Sequence, residues 1–287
     1  MKIVNFIGGL GNQMFEYAFY LALKDAHPDE VIKCCCRSYI GYGLHNGFEL
    51  NKIFNIKASE ASLLNLCALA YPFINYKTWQ FVFHILPVRK TMSFSTSQKE
   101  ALFSEITRTD SCYYDGTWQN ELFFKHIRSQ VLSAFQFPPF MNKKNIDLSK
   151  KLMKSNSVSI HIRRGDYLNE PEWCVCTQDY YSRAIALIKS SENIDVLCVF
   201  SDDIQWCKDN LKDFASDIEY VDWNKGKESF RDMQLMTYCK HNIIANSTFS
   251  WWGAWLGNRE GKKVIAPKVW CNKSIVNDPI CDDWIRI

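Results

Sequence analysis

Apolar positions along the chain recur with two periods, and the alternation between them outlines strands and helices. Residues 2–6 read as a short buried strand. Phe15, Ala18, Phe19 and Ala22 then fall at i, i+3, i+4 and i+7, which predicts a helix with one buried face. Between them runs Gly8-Gly9-Leu10-Gly11-Asn12-Gln13, a strand-to-helix loop whose glycines let the backbone approach a ligand or simply make a tight turn. Residues 32–137 are less regular, with apolar helical stretches, Gly-containing loops and an aromatic-rich segment at 113–124, and they leave the strand order open.

The second half alternates cleanly. Strands are expected at residues 158–162, 196–200, 218–221, 242–245 and 264–266, with helical segments between them, which argues for a parallel sheet covered by helices. Tyr181, Ala184, Ile185 and Ile188 form one helix stripe, and Ser229 with Asp232 has the spacing of a capping box. The run at 196–200 is apolar on both faces, as in a central parallel strand. Pro138, Pro139 and the lysine-rich stretch 142–155 read as a boundary, giving an α/β domain over 1–150 and a second over 151–287. Sheets of this kind collect ligands at the carboxyl ends of their strands.

Composition narrows the function classes. The chain of 287 residues has 47% apolar and 23% charged residues, ordinary values for a globular protein, so a disordered or fibrous class is excluded. A net charge of +3 is too mild for a nucleic-acid partner, though a local anion site remains open. Aromatic residues reach 15%, which suits cores and also sugar C–H faces. Twelve scattered cysteines, three of them consecutive at 34–36, fit reduced thiols better than a disulfide framework. Cys174 and Cys176 lack the second pair that a zinc site requires, so no metal is expected. Residues 61–76 lack charge but fall short of a membrane span. A cytoplasmic protein is expected, the alternative being peripheral contact with the inner face of the membrane.

Chemistry concentrates after the strand ends. His161, Arg163, Arg164 and Asp166 follow one of them; paired guanidiniums bind phosphate oxygens two at a time, and Asp166 can hold an arginine in place. A salt-bridged surface turn is the plainer alternative. Ser247, Thr248 and Phe249 follow another strand and open a helix, where hydroxyls and free N–H groups serve as anion ligands or as ordinary caps. Asp202, just past the central strand, can face the same edge, whereas Asp203 and the pair Asp282-Asp283 read as solvated or capping.

Several segments together resemble glycosyltransferase family 11, the α-1,2-fucosyltransferases: GGLGNQMFEYA at 8–18, YDGTWQNELFF at 114–124, HIRRGDY at 161–167, FSDDIQWC at 200–207 and DMQLMTYCKHNIIANSTFSWWGAWLG at 232–257. Residues 58–105 are the least family-like. The resemblance implies a GT-B-like α/β fold, two Rossmann-like domains facing a central cleft, with the acceptor side in the first and the GDP-sugar in the second. It implies transfer of L-fucose from GDP-β-L-fucose to the 2-hydroxyl of a galactose-terminated glycan, with inversion and without metal. Arg163 is then the β-phosphate ligand, supported by Arg164 and Asp166, with His161 along the ribose and phosphate. Asp232 accepts from guanine; Ser247, Thr248 and Phe249 border the nucleotide, and Gly11 and Asn12 reach its diphosphate. Glu170, Glu172 and Asp115 are candidates for the general base, and Trp118-Gln119 for the acceptor wall. A GDP-sugar transferase of different linkage and a noncatalytic carbohydrate-binding protein on the same fold are the competing readings.

Overall fold

The computed structural model describes residues 1–82, 85–87, 89–94, 103, 107, 111–273 and 278–287, so part of the least family-like segment lies outside the described residues. The chain divides into two compact units, Met1–Pro138 and Pro139–Ile287. In the first, β1 (Lys2–Asn5), α1 (Leu10–Ala26) and β2 (Ile32–Cys35) are followed by α2 (Leu50–Ile53), α3 (Leu63–Ala70) and α4 (Tyr76–Val82). Strands β3 (Met92–Phe94) and β4 (Cys112–Asp115) and helix α5 (Arg128–Ala134) complete it. The sheet runs β2-β1-β4-β3, with every described pairing parallel. Residues 61–76, read from their lack of charge, form α3, a turn and the start of α4. No helix among the described residues is long and apolar enough to cross a membrane.

The second unit comprises α6 (Lys143–Lys154), β5 (Ser157–Ile162), α7 (Gln178–Lys189), β6 (Val196–Ser201), α8 (Ile204–Asn210) and β7 (Ile218–Val221). It continues through α9 (Phe230–Tyr238), β8 (His241–Ile243), α10 (Thr248–Leu256), β9 (Val264–Ala266) and β10 (Ile285–Arg286). Its sheet order is β10-β9-β8-β5-β6-β7. Counted from β5, that is the 3-2-1-4-5-6 order of dinucleotide-binding sheets, with the strand order reversing between β5 and β8. All six residues of β5 are buried, as a central strand flanked by helices requires.

Two expectations need correction here. The stretch 142–155 is no linker: it is α6, capped by Asn142, whose Oδ1 accepts the Lys144 N–H at 2.9 Å. Leu148 and Leu152 on its inner face pack against Val196, Cys198 and Phe200, so α6 belongs to the second core and the units part at Pro138/Pro139 rather than at 150/151. The capping box of Ser229 and Asp232 is also absent. Ser229 makes no side-chain cap, because its backbone is itself helical and its carbonyl accepts the Asp232 N–H at 3.1 Å, while the Asp232 carboxylate is engaged by Asn224 Nδ2 at 2.8 Å.

Helices α9 and α10 carry site residues, and one glycine sets their separation. A Cβ on Gly253 would stand 2.8 Å from both Cβ and Sδ of Met236. Gly253→Ala is therefore expected to destabilise the chain by about 1–3 kcal/mol through overpacking, read as a lower urea midpoint with unchanged slope. An unshifted midpoint would mean that the helices part without cost.

Candidate functional site

The carboxyl ends of β5, β6 and β8 lie side by side, and each delivers a polar turn to the same edge. After β5, Arg163 is gripped on both sides: Nη2 lies 2.7 Å from Asp166 Oδ1 and Nη1 lies 3.0 Å from Asp202 Oδ2. Asp202 is itself fixed, since its Oδ1 accepts the Arg164 backbone N–H at 2.9 Å. The clasp depends on Gly165, where a Cβ would come within 2.8 Å of Asp202 Oδ2. The second arginine is held differently. Arg164 lies over the Trp206 ring at 4.1 Å and bonds Asp203 Oδ2 through Nε at 3.1 Å, while Asp203 also caps α8 by accepting the Trp206 N–H at 3.1 Å.

Exposure separates the carboxylates. The Asp166 side chain is 64% exposed, that of Asp202 only 24%, and the guanidinium between them 32%. An exposed ion pair contributes little net stability and exchanges easily, so Asp166 is the replaceable partner of Arg163 and Asp202 the fixed one. The edge can thus receive an anion on a guanidinium already oriented from the other side.

His161, on β5, is buried, with its ring 5.9 Å from that of Phe249 at the start of α10. Burial, reinforced by the Arg163 charge, brings its pKa down to about 3, so the imidazole is neutral at physiological pH. Its Nδ1 has no hydrogen-bond partner among the described residues, so a bound polar group can pair with it. Ser247 is the N-cap of α10, yet its side chain makes no capping bond; Thr248 and Phe249 form the first turn behind it. Asn246 is structural: its Nδ2 donates to the carbonyls of Trp173 at 2.8 Å and Trp270 at 3.0 Å, and the Tyr167 hydroxyl donates to its carbonyl at 3.2 Å. These bonds tie the arginine loop to the β8 end.

Asp232 stands in the first turn of α9. Burial raises its pKa to about 7, against the hydrogen bond from Asn224 that favours the carboxylate. Asn224 is braced by Asn145, whose Nδ2 donates to Asn224 Oδ1 at 2.8 Å. Sequence reasoning missed Asn224, Trp206 and Tyr167; only Trp206 and Tyr167 fell inside the quoted motifs.

The remaining candidates are placed less simply. Glu170 is exposed at the end of the turn after Arg163, and Glu172 is ion-paired with Lys273. In the first unit, Gly11 and Asn12 belong to the first turn of α1 rather than to a loop, and Asn12 Oδ1 accepts from Gln119 Nε2 at 3.0 Å. Asp115 ends β4 and accepts from Asn5 Nδ2 at 2.8 Å; burial raises its pKa. Trp118 is no ligand wall: it is fully buried and stacked on Phe19 at 4.2 Å, because its ring completes the core beneath α1. The cysteines form no disulfides among the described residues, and Trp251, Trp252 and Trp255 are core.

The chain has relatives among known proteins. The chain is 34% identical over 297 residues to an α-1,2-colitosyltransferase of Escherichia coli, covering 99% of this chain and 98% of that one. It is 26% identical over 270 residues to galactoside α-(1,2)-fucosyltransferase 2 of Bos taurus, covering 91% and 70%. Among solved structures it is similar to NodZ, a fucosyltransferase of Bradyrhizobium. With the NodZ crystal soaked with GDP-fucose the TM-score is 0.54 at 14% identity, covering 89% of this chain and 91% of that one. That likeness shows the fold, the GT-B fold built of two Rossmann-like units. The family model for glycosyl transferase family 11 matches residues 66–287, and with the Arg163 edge at the carboxyl ends of a sheet of this order, the chain belongs to that family.

Proposed function

We propose that the chain moves L-fucose from GDP-β-L-fucose to the 2-hydroxyl of a galactoside, with inversion at the anomeric carbon. The observation that carries this reading is Arg163, a guanidinium fixed from one side at the carboxyl end of β5 and replaceably paired on the other. As the sugar leaves, negative charge accumulates on the diphosphate, and a donor already in position stabilises it without reorganising. The β-phosphate takes the place of Asp166 on Arg163. Arg164 braces the loop, His161 Nδ1 meets a nucleotide polar group, and Ser247, Thr248 and Phe249 border the phosphates and nucleoside. Asp232 accepts from guanine N–H groups, while Gly11 and Asn12 approach the diphosphate. In this reading the guanidinium supplies the charge that a metal provides in other transferases.

Inversion calls for a base on the attacking hydroxyl. Of the three carboxylates, Glu172 is occupied by Lys273 and Glu170 is solvated, whereas Asp115 is held by Asn5 and burial raises its pKa, which favours proton uptake. The relative named for colitosyl transfer favours a second reading, in which the sugar moved is colitose; the two enzyme names share the α-1,2 linkage.

Incubation with GDP-fucose and lactose, with and without EDTA, tests the reading. The expected product carries fucose α-1,2 on galactose by NMR at a rate insensitive to the chelator; an α-1,3 or α-1,6 linkage, or loss of activity in EDTA, overturns the corresponding part. Arg163→Lys keeps a charge but loses the two-pronged grip, and should lower kcat at least ~100-fold while the protein stays folded by circular dichroism. Full activity in that variant would remove Arg163 from its role.

Asp232 yields a pH dependence. With its pKa raised to about 7 in the free chain, guanine binding favours the carboxylate and releases a proton, so affinity rises as pH increases toward and through that value. Between about pH 6 and about pH 8, GDP affinity by calorimetry should climb more steeply for the parent than for Asp232→Asn, the variant accounting for the titration of GDP itself. Equal slopes would place guanine elsewhere.

A further inference from the structure

The first unit contains a cavity of about 190 Å³ for which the donor chemistry has no use. It opens at the carboxyl ends of β1 and β4, the edge where parallel sheets gather ligands, and α4 forms one of its sides. Its wall combines two kinds of surface. Phe73, Tyr76 and Trp79 contribute aromatic rings, while Asn5, Ser38, Asn75 and Asp115 contribute polar groups.

The polar groups are arranged in series. Ser38 Oγ donates to Asn5 Oδ1 at 2.7 Å, and Asn5 Nδ2 donates to Asp115 Oδ1 at 2.8 Å. Ser38 and Asn5 are buried, so this chain holds the carboxylate in a fixed orientation at the cavity wall. A carboxylate offers about four acceptor positions, which leaves capacity for a ligand donor beside the bonds from Asn5 and the Gly116 backbone.

Charge and polarity select the occupant. No lysine or arginine is among the described lining residues, and Asp115 stands near the buried Glu16, so an anionic ligand is disfavoured. A wholly apolar ligand would desolvate Asp115 and return no hydrogen bond. A pyranose ring meets both demands, with a C–H face for an aromatic ring and hydroxyls for the polar row, and the volume accommodates one such ring.

Building on the transfer reading above, we infer that this cavity seats the acceptor's terminal sugar, with the reacting hydroxyl donating to Asp115 and the ring lying against Tyr76 and Trp79. In the transfer step the hydroxyl proton passes to the Asp115 carboxylate and the hydroxyl oxygen forms a bond to the anomeric carbon. The bond from that carbon to the phosphate oxygen breaks, and its electron pair stays on GDP. The subsite replaces Trp118 as the acceptor wall.

The test uses the full chain and methyl β-D-galactoside, titrated without donor and followed by ligand-observed NMR, with GDP affinity measured in parallel. The parent should bind the galactoside. Trp79→Ala and the half-buried Tyr76→Ala should each weaken it about tenfold with GDP affinity retained, which also reports that the variants are folded. Asp115→Asn, nearly isosteric, should keep the galactoside bound within about threefold yet lower kcat by ~100-fold or more. Unchanged galactoside affinity in both aromatic variants, or no binding by the parent, overturns the subsite; unchanged kcat in Asp115→Asn overturns the proton transfer. Failure of the parent to bind GDP would count against the donor reading alone, since the galactoside titration judges the cavity without it.

Discussion

The site depends on how one guanidinium is held. Arg163 and Arg164 face three carboxylates, Asp166, Asp202 and Asp203, so the unliganded edge carries no surplus of positive charge. An incoming diphosphate is therefore not drawn by a bare cation; it has to displace a carboxylate, and the geometry decides which. Asp203 is committed to the α8 cap and Asp202 to the Arg164 backbone, whereas Asp166 is ion-paired with Arg163 and is largely solvated. Exchange of Asp166 for phosphate substitutes one charge-assisted bond for another while Asp202 keeps the guanidinium aligned. Gly165 makes this possible, because any side chain there would push against Asp202.

Around that clamp the fold uses burial to set protonation states. His161 is kept neutral beside a permanent cation, so it offers an uncharged hydrogen-bonding atom at the edge. Asp232 is kept near its titration point, so partner N–H groups can draw it into the charged form. The first effect follows from the strand order, which places His161 on the central strand β5 beside the Arg163 turn, and the second from the burial of Asp232 at the start of α9. In the first unit the same logic applies to Asp115, whose basicity comes from burial and whose orientation comes from Asn5 and Ser38.

Legibility of the sequence followed the physics of each segment. Strands β6 and β9 were readable because buried parallel strands are apolar runs, β5 because Val158, Ile160 and Ile162 alternate with polar residues, and the α7 stripe because its apolar residues keep helical spacing. Helix α6 was hidden by its composition: lysines dominate it, and only Leu148, Leu152 and two small polar residues mark the inner face. Strands β3 and β4, of three and four residues, are too short for a period to emerge. The site motif was legible as chemistry, but its wiring was not. Nothing in the residue types indicates that Asp202 grips Arg163, that Asn224 holds Asp232, or that Trp118 lies under α1; those are long-range contacts that only the folded chain brings about.

The central claim is that Arg163 exchanges Asp166 for the donor's diphosphate while remaining fixed to Asp202. A crystal structure of the chain with GDP tests it most directly. The account predicts a β-phosphate oxygen at about 2.7–2.9 Å from Arg163, the Asp202 contact preserved and Asp166 turned away. A diphosphate bound elsewhere, with Arg163 still closed on Asp166, would contradict it.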